Sequence, residues 1–210
     1  MQILNKLHET TYDSLVDEYD DFALKNKDIV EGAVSKLKRH LDSPARVLDV
    51  GCAVGNITSE LVEHGYEVTG IDISPKMIAR ARKCVPKANF IVGDLCSYDF
   101  ADNKYDAIVA FAFIHLFPKN EAARILEIFR ALLKPGGIIY TGTTDSDSFS
   151  EGFETKEDFE NKLKRFRVRW PRKDLDSFFD ENGFEIIKVY EHTDKKGKLW
   201  LDYIIKVKEK

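Results

Sequence analysis

The chain has 210 residues, enough for one domain with a sizeable buried core and too few for two comfortable ones. Hydrophobic residues at 43% and charged residues at 32% give the balance of a globular protein and exclude a disordered or fibrous one. A formal net charge of −4 supplies no global positive field for polyanions, so nucleic acid is a disfavoured partner.

Three cysteines, Cys52, Cys84 and Cys96, form an odd set without CxxC or Cys/His spacing, which argues against a disulfide framework and against a metal site. The opening MQILNKLHETTYD has no apolar signal core, and the longest apolar run, Ala107 to Ile114, is too short to cross a bilayer. A soluble, unprocessed, cytoplasmic protein with reduced thiols and no membrane partner is expected.

From about Asn5 to Leu41, apolar residues including Leu15, Val16, Tyr19, Ile29, Val30, Ala33, Val34 and Leu37 recur at three- and four-residue steps, predicting two amphipathic helices. Ser43-Pro44 ends that pattern, and Arg46-Val47-Leu48-Asp49-Val50-Gly51 reads as a first strand closed by glycine. Further strands at Glu67 to Ile71, Asn89 to Val92, Ala107 to Phe111 and Gly137 to Thr141 alternate with helices at Ile57 to His64, Pro75 to Cys84 and Asn120 to Leu133. Such alternation implies a parallel sheet with right-handed crossovers, helices on both faces and ligands at the carboxyl ends of the strands.

Asp145 to Glu154 reads as a polar loop, and a helix from about Asp174 ends near Gly183. Phe184 to Glu191 and Leu199 to Val207 form a hairpin at the sheet edge, turning at Asp194-Lys195-Lys196-Gly197. The predicted fold is α/β and doubly wound: a mostly parallel, seven-stranded, Rossmann-like sheet with a C-terminal antiparallel hairpin. It is one domain, with a helical cap at 1–42, a core at 43–144, and an insert plus hairpin at 145–210.

The turn Gly51-Cys52-Ala53-Val54-Gly55-Asn56 joins strand to helix through small residues, so a ligand can approach its backbone closely. The dinucleotide pattern G-x-G-x-x-G requires glycines where Ala53 and Asn56 stand, which weakens a nicotinamide reading. Asp49, two places before the first glycine, can meet a cationic ligand directly or through water and would repel a pyrophosphate. Asp72 lies 21 residues beyond Gly51 at the end of the second strand, the spacing expected for an acceptor of ribose hydroxyl bonds. After the third strand, Asp94 can accept a bond from the amino group of adenine, with Ile73 and Leu95 flanking the ring.

Taken in order, LDVGCAVGN, GIDIS, GDL, YDAIVAFAFIHLF and LLKPGGIIYTG resemble the class I S-adenosylmethionine-dependent methyltransferases, over roughly Tyr12 to Thr144. The resemblance implies S-adenosylmethionine as cofactor, with S-adenosylhomocysteine as product. By the same resemblance Gly51 and Gly55 shape the turn around the methionine moiety, Asp49 orients the turn and the amino group, Asp72 binds ribose, and Asp94 with Leu95 holds adenine. Cys52, Met77, Ala110 and Phe111 join this cofactor site. The family usually has glycine where Ala53 stands, and an alanine there is expected to need a negative φ.

Methyl transfer is an in-line displacement that needs alignment and exclusion of water but no protein nucleophile. His115 is the candidate base for an acceptor that is still protonated, although a histidine there also suits a structural role. Tyr12 and Tyr19 resemble the N-terminal lid of small-molecule members of the family, with rings able to close over the sulfonium, but such tyrosines can equally anchor a helix on the core.

Lys156, Lys162, Lys164, Arg165, Arg167, Arg169, Arg172 and Lys173 stand against only Glu157, Asp158 and Glu160. Because Phe166, Val168 and Trp170 alternate with the arginines, an extended segment would bury one face and present arginines on the other. Arg167, Arg169 and Trp170 are therefore candidate acceptor-binding residues, suited to a carboxylate or phosphate, while a solvated basic face explains the same run. The acceptor is expected to be a small molecule methylated on O, N or C. Alternatives are a tRNA or protein methyltransferase using the strip at 162–173, and a cofactor-binding pseudoenzyme. No heptad run or partner motif bears on oligomeric state.

Overall fold

The structure, a computed structural model, describes residues 2–25, 27–156 and 163–209. Val47, Leu48 and Val50 alternate between the two sheet faces and are all buried, the signature of a strand covered on both sides. That strand, β1 (Arg46–Val50), pairs in parallel with β2 (Glu67–Asp72) on one side and β4 (Tyr105–Phe111) on the other. Outward from these lie β3 (Asn89–Val92) and β5 (Leu133–Thr144).

The full order is β3-β2-β1-β4-β5-β9-β8, with β8 (Phe184–Thr193) and β9 (Leu199–Val207) forming the predicted hairpin. It is β9 that joins the sheet, antiparallel to β5, so β8 becomes the outer edge. Helices α4 (Asn56–Glu63), α5 (Pro75–Cys84), α6 (Lys119–Leu132) and α7 (Arg172–Glu181) complete the doubly wound arrangement. One core cluster gathers Leu48, Ile108, Phe129, Phe178 and Tyr203, a second Val34, Leu61, Val47, Val109 and Ile204, and a third Leu15, Val54 and Met77.

Three features depart from the sequence reading. The N-terminal segment forms three helices and not two: α1 (Gln2–Asp13), α2 (Val16–Lys25) and α3 (Lys27–Leu37). Apolar spacing carries on through the break at Ser14 and Leu15, so periodicity alone does not mark it. The fifth strand begins at Leu133, four residues before Gly137, because Lys134-Pro135-Gly136 forms a bulge, with Gly136 at φ 77°, where the register shifts between Tyr105 and Ala107. The polar loop at 145–154 is half strand: β6 (Ser150–Lys156) pairs with β7 (Leu163–Arg169) in a ribbon separate from the main sheet. Its register sets Glu154 against Arg165, and a strand held by such polar pairs carries little hydrophobic signal. Of the basic strip, Glu157, Asp158, Glu160 and Lys162 lie outside the described residues.

Candidate functional site

Parallel strands bring their carboxyl ends together, and here β1, β2 and β3 deliver Asp49, Asp72 and Asp94 to one edge of the sheet. The turn between β1 and α4 is compressed by three left-handed residues, Gly51 (φ 70°), Ala53 (φ 48°) and Gly55 (φ 88°). A Cβ on Gly51 would stand 2.8 Å from the Phe113 ring, so a side chain there would force that ring aside. Ala53 does not take the negative φ expected of it. It is held in the left-handed region at a cost of about 1 kcal/mol, and its N–H donates to Asp72 Oδ2 at 3.0 Å.

Asp49 is buried and accepts from Thr58 Oγ1 at 2.6 Å. Burial, opposed by that hydrogen bond and reinforced by the nearby Asp72 charge, pushes its carboxyl up to about 7. Asp72 spends one oxygen on Ala53 and the other on Ser74 N at 2.9 Å, so it also fastens the two turns together. Burial raises its pKa as well, against the pull of the Ser74 and Ala53 backbone bonds. Asp94 accepts from Asn5 Nδ2 at 2.8 Å and from Cys96 N at 3.0 Å, which ties the third strand end to α1.

These groups border a cavity of about 660 Å³, within the range of roughly 300 to 1,000 Å³ typical of small-molecule sites. Its floor comprises Asp49, Gly51, Cys52, Ala53, Asp72 and Ile73, continued by Met77, Asp94, Leu95 and Phe111. Asn5, His8 and Tyr12 of α1, Tyr19 of α2, and Ile29 with Val30 of α3 complete the wall from the N-terminal side. The lining also includes His115 in a short 3₁₀ turn (Ile114–Leu116), Arg165 and Arg167 of β7, Lys195, Lys196 and Lys198 of the β8–β9 turn, and Trp200 of β9.

The Tyr12 and Tyr19 rings meet at 6.0 Å and 77°, an edge-to-face pair. Burial drives the Tyr12 hydroxyl up to about 12, with the Arg165 charge pulling the other way. His115 is buried, its Nδ1 paired with Thr143 Oγ1 at 3.1 Å.

Four expected site residues lie off the cavity wall. Gly55 sits under the turn as the N-cap position of α4, and Ala110 is fully buried in the interior of β4. Trp170 is fully buried, and its ring packs 5.2 Å from Phe149 and 4.9 Å from Phe178. Arg169 points to solvent and reaches Glu154 at 2.6 Å. The expectation that the arginines share one outward face also fails. Arg165 is buried, because the twisted ribbon presses against α1, where Thr11 Oγ1 donates to Lys164 O at 3.3 Å.

His8, Asn5, Arg165 and Trp200 border the cavity without having been expected there. Asn5, His8 and Tyr12 follow at steps of three and four on one helical stripe, a polar stripe legible in the sequence but masked by its neighbouring apolar residues. Burial lowers the His8 pKa to about 4, so its ring is neutral at physiological pH.

Residues 47–137 match the family described as methyltransferase domain. An uncharacterized methyltransferase of Bacillus cereus is 30% identical over 190 residues, spanning 84% of this chain and 85% of the relative, and one from Bacillus mycoides gives the same figures. Among solved structures, a Burkholderia thailandensis 1,6-didemethyltoxoflavin-N1-methyltransferase, with bound 1,6-didemethyltoxoflavin and S-adenosylhomocysteine, superposes with a TM-score of 0.79 at 19% identity, covering 97% of this chain and 88% of its own. DhpI in complex with S-adenosylhomocysteine also gives 0.79, at 20% identity, covering 99% and 98%. A Methanosarcina mazei S-adenosylmethionine-dependent methyltransferase gives 0.71 at 25% identity, covering 82% and 97%.

Proposed function

The chain belongs to the class I S-adenosylmethionine-dependent methyltransferases, and on that premise we propose that its cavity holds the cofactor along the strand ends and a small-molecule acceptor beside it. The donor set suits the cofactor: carboxylates line the floor where hydroxyl, amino and ammonium donors need acceptors, and the glycine-rich turn leaves its backbone accessible. When bound, S-adenosylmethionine supplies an electrophilic methyl carbon on a sulfonium.

In this reading Asp72 accepts from ribose hydroxyls, Asp94 from the adenine amino group, and Asp49 balances the cationic amino end. Ile73 and Leu95 flank the base, while Gly51, Cys52, Ala53, Met77 and Phe111 contour the remaining floor. Gly55 and Ala110 act from behind it, shaping the turn and the strand. Tyr12 and Tyr19 close the N-terminal side and exclude water, so that alignment carries most of the rate. His115, held by Thr143, receives the proton of an acceptor that arrives protonated.

The observation that carries the small-molecule reading is enclosure. The cavity is walled by three N-terminal helices, β7 and a hairpin turn, which suits a compact molecule better than a polymer strand. Within the basic strip Arg165 and Arg167 border the cavity, Arg169 engages Glu154 and Arg172 engages Glu191, while Lys164 and Lys173 are exposed. A single domain, with 1–42 as cap, 43–144 as cofactor core and 145–210 as acceptor side, follows from the same reading. Residence in the cytoplasm accords with three free cysteines, and among the described residues no helix is long and apolar enough to cross a membrane.

The test is release of S-adenosylhomocysteine from S-adenosylmethionine on adding either a cell's small-metabolite fraction or its RNA and protein. Turnover with the first fraction alone is expected. Turnover with RNA or protein alone would overturn the assignment of acceptor class.

A further inference from the structure

Helix α1 runs along the carboxylate edge from one strand-end turn to the next. Near its start Asn5 donates to Asp94 at 2.8 Å; at its end Asp13 accepts from Ser74 Oγ at 2.5 Å, and the Ser74 N–H binds Asp72 at 2.9 Å. His8 stands between those two fastenings. Asn5, His8 and Tyr12 follow at steps of three and four, so they share one stripe of the helix, and all three border the cavity.

His8 is 4% exposed, and its Nε2 is buried without a hydrogen-bond partner among the described residues. Two rings meet it edge-on and fix its plane: Tyr12, with centroids 6.2 Å apart at 62°, and Phe117, at 5.5 Å and 90°. Burial lowers its pKa to about 4 and keeps the imidazole neutral, with one N–H donor and one acceptor nitrogen. A buried polar atom left unpaired costs free energy, and a ligand in the adjoining cavity recovers it by supplying the partner.

The proposed cofactor site sets the adenine amino group at Asp94 and the ribose at Asp72, so the base lies along the span that α1 covers. Carboxylates serve the amino and hydroxyl donors of the nucleoside. The free ring nitrogens of adenine are acceptors, which a carboxylate cannot serve and an imidazole N–H can. Resting on that reading, we propose that His8 belongs to the cofactor site and donates a hydrogen bond to a ring nitrogen of adenine. Asp94 and His8 then read complementary groups, amino hydrogens and a ring lone pair, and together they select adenine over bases with another pattern of donors and acceptors.

The probes are S-adenosylhomocysteine and its three monodeaza analogues, each with one free ring nitrogen of adenine replaced by C–H. They are titrated by calorimetry into the intact protein and into His8→Phe, which keeps the edge-on ring contacts and removes the N–H. His8→Phe should bind S-adenosylhomocysteine about three- to tenfold more weakly, the worth of one neutral hydrogen bond. One deaza analogue should show a loss of that size in the intact protein and none in the variant, which identifies the nitrogen. Without ligand, His8→Phe should melt no lower than the parent, because the unpaired atom is gone. His8→Gln, whose amide restores an N–H donor, should recover part of the affinity and of the deaza discrimination.

Equal affinity for S-adenosylhomocysteine in the parent and His8→Phe, or deaza losses that are the same in both, would overturn the proposal. A lower melting temperature with unchanged affinity would reduce His8 to core packing and overturn it as well. In protein carrying isotope-labelled histidine, the His8 ring signal, identified by its absence from His8→Gln, should move on adding S-adenosylhomocysteine and move less with the discriminated analogue. An unmoved signal would overturn the proposal even if His8→Phe failed to fold. S-inosylhomocysteine, with a carbonyl in place of the amino group, separates the two levels. If it binds the intact protein as well as S-adenosylhomocysteine does, the amino group is not read at Asp94, and the underlying reading falls with the proposal. If it binds more weakly while His8→Phe changes nothing, only the role of His8 falls.

Discussion

Asp49 shows how a single residue can set stability against ligand binding. Unfolded, its carboxyl ionises near 4; folded, burial lifts it to about 7. Between those values the folded protein holds the extra proton, so this group favours folding at low pH and withdraws that support as pH rises through about 7. A cationic partner acts in the opposite sense, because it needs the ionised form. S-adenosylhomocysteine binding should therefore strengthen from pH 6 to pH 8 and release a proton near pH 6, measurable by calorimetry in buffers of different ionisation heat. Asp49→Asn should flatten that pH dependence and weaken binding, yet stabilise the unliganded protein at pH 8 by about 1 to 3 kcal/mol in denaturant titration. A variant that binds as well as the parent at every pH would remove Asp49 from the ligand's surroundings. The residues of this region were legible because glycines and strand-end carboxylates follow local rules. The alternation of Trp170 with the arginines gave it a buried face but not the neighbours, Phe149 and Phe178, that this face packs on.

At the scale of elements, α1 is fastened at three points: Asn5 to Asp94, Thr11 to the Lys164 carbonyl, and Asp13 to the start of α5. Asp13 accepts from Ser74 Oγ at 2.5 Å and from Lys76 N at 3.2 Å, and Ser74 in turn caps α5 through Met77 N at 3.1 Å. A carboxylate at that helix N-terminus is favoured by the unpaired N–H groups and the helix dipole. Asp13→Ala should cost about 1 kcal/mol of stability and speed S-adenosylhomocysteine release in stopped-flow measurements, because one fastening of the cavity's N-terminal wall is lost. An unchanged release rate would mean that this wall does not gate the cofactor. The strands of the main sheet were legible from their apolar runs. In the ribbon, β7 showed itself through the alternation of Phe166 and Val168 with arginines, but β6, SEGFETK with Phe153 as its one large apolar residue, gave no apolar period and read as loop.

Across the whole molecule, the strand order fixes the chemistry. With β3, β2 and β1 adjacent and parallel, Asp94, Asp72 and Asp49 must emerge along one edge, which is why their sequence spacing foretold the carboxylate floor. The rest of the cavity depends on contacts between distant segments. Asn5 lies 89 residues from Asp94, and Thr11 lies 153 from Lys164, separations that no local pattern encodes. The part of the lining supplied by β7 and the β8–β9 turn likewise forms only once those segments converge on the strand ends. On the proposed function this convergence makes one site, with the cofactor held at the carboxylate edge. Its most direct test is calorimetric titration of S-adenosylhomocysteine into the intact protein and into Asp72→Asn, which keeps the side-chain shape while removing the charge. Binding to the intact protein that falls roughly tenfold to a hundredfold in the variant, the worth of hydrogen bonds to a charged group, is the predicted result. Equal affinity in the two proteins, or none in the intact one, would contradict it.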